Sequence, residues 1–127
     1  MSEHDQLAAL LDSFSAAFAD QDAGALRDLF AEGDASLVTS EELVLHHRME
    51  LDRFFDAYAR QPVSIGFEWD VRHVDVVEDV GWVLALGREI ARHGPQEQRW
   101  PFRLTLVTVR SPEGWRIAHA HASSPAA

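Results

Sequence analysis

Apolar residues recur along this chain with two different periods, and the change from one to the other organises it. Between residues 3 and 20, Leu7, Leu10, Leu11, Phe14, Ala17 and Phe18 fall three or four apart, the spacing of one helix face. Ser2 stands where it can cap that helix, and Asp5 in the first turn complements the helix dipole. A second, short helix is predicted after Asp22, with Leu26, Leu29 and Phe30 inward and Gly33 as its left-handed stop. Residues 35–39 read as a short strand, 40–42 as a turn and 43–46 as a return strand. Helical spacing resumes with Leu51, Phe54, Phe55 and Tyr58 and ends before Pro62. Beyond that point the period falls to two. Residues 63–77, 80–92, 98–110 and 115–123 read as long antiparallel strands. They are joined at Glu78-Asp79, at His93-Gly94-Pro95 and at Ser111-Pro112-Glu113-Gly114. The order is that of an α+β domain in which the helices gather on one face of a sheet.

Size and composition narrow the function. With 127 residues, no repeat and no linker, residues 1–127 make a single domain with its own core. Eleven arginines against 21 acidic residues leave a net charge of −10, so neither nucleic acid nor an anionic membrane surface is an expected partner. Lysine is absent, which removes Schiff-base chemistry, and so is cysteine, which removes disulfides and thiolate chemistry. No apolar run approaches the roughly 18 residues of a membrane span. The acidic N-terminus does not read as a secretory signal, so the expected compartment is the cytoplasm. Glycine-rich phosphate loops, G-x-S-x-G and H-E-x-x-H are missing, and no cofactor is expected.

The closing hairpin, residues 100–125, carries the most information. Unbroken alternation puts Trp115, Ile117, His119, His121 and Ser123 on one face of the last strand and Arg116, Ala118, Ala120 and Ala122 on the other. An R-x-T strand, a turn, and then W-x-I-x-H-x-H-x-S resembles the end of SnoaL-like domains in the nuclear transport factor 2-like superfamily. The order of elements is similar over essentially the whole chain. The resemblance implies a curved antiparallel sheet wrapped around the N-terminal helices as a cone, with a pocket at its open end. That superfamily includes ketosteroid isomerase and polyketide cyclases, and also domains that only bind or oligomerise. The association domain of calcium/calmodulin-dependent protein kinase II belongs there as well. Its two pocket arginines correspond to Ala122 and Leu106 here, which implies a pocket without an anion clamp, suited to apolar ligands.

Several residues could carry chemistry. Arg103 and Thr105 should lie opposite His119 and His121, where a guanidinium beside two imidazoles suits an anionic oxygen. The same group, with Trp115 and Ile117, equally suits a surface buried between two subunits. H-x-H on a strand also occurs in zinc sites, but a third ligand would have to come from His73, Asp75, Glu68 or Asp70. His46 and His47 are adjacent on a strand and should point apart, so no metal is expected. On the first long strand, Glu68 and Asp70 share one face; His73 and Asp75 share the other with Phe67, Trp69 and Val71. His73 beside Asp75 could form a base and its orienting carboxylate, or a solvated strand edge. Tyr58 is the one tyrosine available as an acid or oxyanion donor. Trp69, Trp82, Trp100 and Trp115 fall one on each long strand. Since Trp115/Ile117 and Leu104/Leu106 should occupy opposite faces, a homodimer through the sheet is expected. The function expected is binding of a small, largely apolar molecule, with an assembly module or an isomerase- or cyclase-type enzyme as alternatives.

Overall fold

The computed structural model describes residues 1–40 and 43–125. Helix α1, Glu3–Ala19, starts where Ser2 Oγ accepts a hydrogen bond from the Asp5 amide, and α2, Ala23–Leu29, where Asp22 does the same for Ala25. Strands β1 (Ser36–Val38) and β2 (Val44–His46) follow, then α3 (Arg48–Ala59). Four long strands close the chain: β3 (Ser64–Val77), β4 (Val80–His93), β5 (Gln96–Ser111) and β6 (Gly114–Ser123). The turn expected at 40–42 includes Glu41 and Glu42, which lie outside the described residues.

The strands form one curved, unclosed sheet in the order β2-β1-β6-β5-β4-β3. It is mixed rather than wholly antiparallel, because β1 runs parallel to β6. The α1–α2 pair returns the chain alongside β6, where Phe30 bridges Ile117 and the Ala31 amide donates to the Ile117 carbonyl. The helices cover one face only. Leu7, Leu11 and Phe14 of α1, Leu26 of α2 and Leu51 and Phe55 of α3 pack with Val83, Leu104, Leu106 and Ile117 of the sheet. Contact is close enough that a Cβ on Gly81 would sit 2.5 Å from Leu7 Cδ1.

Two bulges decide which side chains meet those helices. In β6 the partner of Val107 is His119 and that of Thr108 is Ile117, so Ala118 is an extra residue. The alternation therefore changes phase. Trp115 and Ile117 face inward before the bulge, and Ala120 and Ala122 do so after it. Trp115/Ile117 thus share the inner face with Leu104/Leu106, and the histidines leave the face of Trp115; both differ from the unbroken alternation. A second bulge between Trp69 and Val71 does the same to β3. Phe67 and Trp69 point at the core, whereas Val71, His73 and Asp75 come to share the face of Leu86, Leu84 and Trp82.

Candidate functional site

The cross-strand register gathers most of the expected site residues on the outer face. Asp75, Trp82, Val107, His119, Ser36 and His46 form one row across the sheet. His73, Leu84, Thr105, His121, Val38 and Val44 form the next. Arg103 follows beside Ser123, whose hydroxyl accepts from its Nε at 3.2 Å. Six of the eight candidates, Arg103, Thr105, His119, His121, His73 and Asp75, therefore lie outside the cone. Trp115 and Tyr58 lie inside it.

The outer residues do not assemble into a reaction centre. His73 and Asp75 are exposed on β3, separated from the β6 histidines by β4 and β5, and no hydrogen bond links the two. Glu68 and Asp70 are taken up by Arg99 and Arg88 in exposed ion pairs, which contribute little to stability. Among the described residues no three His, Asp or Glu side chains converge as a metal site requires. His46 and His47 do not diverge as a strand would have them: His47 caps α3 at φ 93° and its ring lies 4.5 Å from that of His46.

His119 has the most defined surroundings of the group. Its Nδ1 and Ser36 Oγ share a 2.7 Å hydrogen bond, and the His121 ring lies 6.2 Å away, edge to face. Partial burial first, and His121 second, lower its pKa below the ordinary value of 6.5. A lowered pKa means the folded chain binds fewer protons than the unfolded one. That stability is present above 6.5 and is lost as pH falls toward the lower folded value. His119→Gln should therefore flatten the fall of melting midpoint between about pH 7.5 and 5.5 relative to the native chain. Identical slopes would contradict it.

The inner face offers a different environment. A cavity of about 350 Å³ lies between the helices and the sheet. Phe14 and Phe18 reach it from α1, Phe54 and Tyr58 from α3, Phe67 from β3, and Trp100 and Phe102 from β5. These seven aromatic rings outweigh its polar groups, which include Thr39, Ser40, Gln61 and Glu89. Leu37, Leu104 and Ala122 are buried at its floor, whereas Leu43 and Gln61 are exposed and mark its rim. Phe67 stacks on Trp69 at 5.1 Å, and the Trp69 indole N–H is held by Ser15 Oγ at 3.0 Å.

Tyr58 lines this cavity with its ring, but its hydroxyl is engaged. It donates to the Phe18 carbonyl at 2.5 Å and accepts from the Ile65 amide at 2.7 Å. Burial pushes the phenol up, and the Glu89 charge adds to this. The hydroxyl ties α1, α3 and β3 together rather than facing a ligand. Gln21, at φ 51°, reinforces the joint by donating from Nε2 to the carbonyls of Tyr58, Gln61 and Val63. Neither Gln21 nor Glu89 was singled out by the sequence pattern. Glu89 was legible in principle, because it continues the inward phase of Val83 and Ala85 along β4.

Three helices held in the hollow of a curved six-stranded sheet, with a cavity between, make the cone of nuclear transport factor 2-like proteins. The chain belongs to the SnoaL-like domain family, whose model matches residues 7–127. Solved structures agree on the fold. A candidate dehydratase of the nuclear transport factor 2-like family from Streptomyces avermitilis superposes with a TM-score of 0.89 at 24% identity, over 98% of this chain and 97% of that one. A nuclear transport factor 2-like superfamily protein from Salmonella enterica gives 0.84 at 17% identity, over 98% and 92%. A ketosteroid isomerase-like protein from Erwinia carotovora gives 0.79 at 15% identity, over 99% and 98%. No curated protein matches the chain at a significant level. Among the described residues no helix is long and apolar enough to cross a membrane.

Proposed function

We propose that this protein binds a small, ring-bearing, largely apolar molecule in the cavity between its helices and sheet. One observation carries the reading: seven aromatic rings surround about 350 Å³ of space that the core leaves unfilled. Aromatic walls with a few polar groups are the usual make-up of a small-molecule site of that volume. The position of one of the two missing pocket arginines agrees with it, since Ala122 lines the cavity, whereas Leu106 is packed in the core and does not. An isomerase- or cyclase-type reaction would have Glu89 as its base, but Tyr58 could not serve as oxyanion donor while it bridges Phe18 and Ile65. Titration with N-phenylnaphthylamine, a neutral polarity-sensitive fluorophore, tests the reading. Saturable one-to-one enhancement is expected, and a linear, unsaturable response would contradict it.

The outer face supports a second role, pairing of two copies through the sheet. Val77, Val80, Trp82 and Leu84 are exposed side by side on β3 and β4, the last two at 37% each, and no helix covers them. A contiguous apolar patch of this kind is normally covered by a partner. Arg103, His119 and His121 would then border that interface. Leu84→Arg should raise the dimer dissociation constant on the order of 100-fold, by placing a charge within the apolar patch. Light scattering that reports a monomer for the unmodified protein at micromolar concentration would remove the basis of this reading.

A further inference from the structure

The charge within the cavity specifies what kind of ring-bearing molecule it takes. Among the described lining residues there is no arginine and no histidine, and Glu89 is the one carboxylate. The sheet register puts that carboxylate in the cavity. In the sheet register Glu89 stands between Phe67 and Trp100, both of which line the cavity. Its charge also adds to the larger effect of burial in raising the pKa of Tyr58. The hydroxyl of Tyr58 is committed to Phe18 and Ile65, and the indole N–H of Trp69 to Ser15. The Tyr58 hydroxyl, which lines the cavity, is therefore already engaged within the protein.

We infer that the cavity selects apolar ring compounds carrying a protonated nitrogen, with Glu89 receiving the cation and the aromatic faces around it attracting the same charge. This rests on the reading of the cavity as a ligand site and goes beyond it by fixing the sign of the ligand's polar group. The physics favours one sign strongly. A cation gains from the carboxylate and from the negative faces of aromatic rings, whose quadrupoles attract cations when water is excluded. An anion meets the carboxylate and the same ring faces with the opposite sign, and gives up hydration on entering. The net charge of −10 draws cations toward the protein and repels anions before contact.

Three probes that share a ring and differ in one group decide the matter: naphthylethylamine, naphthylethanol and naphthylacetate. Near neutral pH their displacement of N-phenylnaphthylamine should rank amine, alcohol, carboxylate, with the amine at least about tenfold tighter than the alcohol. Glu89→Gln keeps the shape of the side chain and removes its charge. It should remove the amine's advantage, so that amine and alcohol displace the fluorophore at similar concentrations. An unmodified protein that binds the carboxylate as well as the amine overturns the inference without need of any variant, as does a ratio of amine to alcohol that Glu89→Gln leaves intact. If the alcohol and the fluorophore bind but the amine binds no better, only the charge selection falls. If none of the four compounds binds, the cavity is not a ligand site and both readings fall together.

Discussion

Alanine at Gly87 is expected to lower the melting midpoint by about 10 °C or more, the largest effect of any glycine-to-alanine change in this chain. Gly87 lies in β4 opposite the β3 bulge, where the carbonyl of Glu68 crosses close over it. A Cβ built there falls 1.8 Å from Glu68 O and 2.9 Å from Trp69 Cα. Both are backbone atoms, so no rotamer change relieves the clash, and the strands must separate or the bulge must move. Either outcome shifts Phe67 and Trp69 out of phase with the core, a cost of about 3 kcal/mol or more. Gly24→Ala is the matched control. Its Cβ would meet only Asp22 Oδ1, at an ordinary 3.6 Å, within α2. There the change should be neutral or stabilising by up to about 1 kcal/mol. Equal melting midpoints for the two variants would show that the bulge is not held as described.

Phenylalanine at Ala122 is expected to abolish N-phenylnaphthylamine binding, with affinity falling on the order of 100-fold. Ala122 faces inward after the β6 bulge, beside Leu104, at the floor of the cavity. A phenyl group there grows into the space the probe would occupy. Because it enters an existing void rather than filled core, the stability cost should stay within the usual overpacking range of about 1–3 kcal/mol. His121→Ala, one residue away on the same strand but on the outer face, should leave the titration unchanged. Since the pair differs by one position along β6, the contrast between them reads the face assignment directly. Loss of binding in His121→Ala with retention in Ala122→Phe would reverse it.

Much of the fold was legible because helix caps and hydrophobic periods are local properties. Ser2 and Asp22 cap the helices they were expected to cap, and each of the four long strands begins and ends within two residues of its expected bounds. Which face each strand presents was not legible, and the cause is physical. Alternation carries phase forward only while pairing is regular, and a bulge is fixed by the neighbouring strand and the bend of the sheet. At Ala118 the trace in the sequence is that both phases of β6 are apolar, Trp115 and Ile117 in one and Ala118, Ala120 and Ala122 in the other. At Asp70 the trace is Gly87, a residue that leaves room for a crossing backbone, but it lies in the partner strand. The histidines, Arg103 and the His73/Asp75 pair were thus recognised as neighbours, while the side of the sheet they occupy depended on two residues that alternation does not mark. The parallel β1–β6 pairing was hidden for a similar reason, since three-residue strands take their direction from where the helices deliver the chain.

The structure of a complex tests the central claim most directly. Crystals grown with N-phenylnaphthylamine should show one probe per chain inside the cone, against Phe18, Phe67 and Phe102, with the outer-face histidines untouched. A probe seated instead on the outer face against Trp82 and Leu84, or a cone interior closed by its own side chains with the probe excluded, would contradict it.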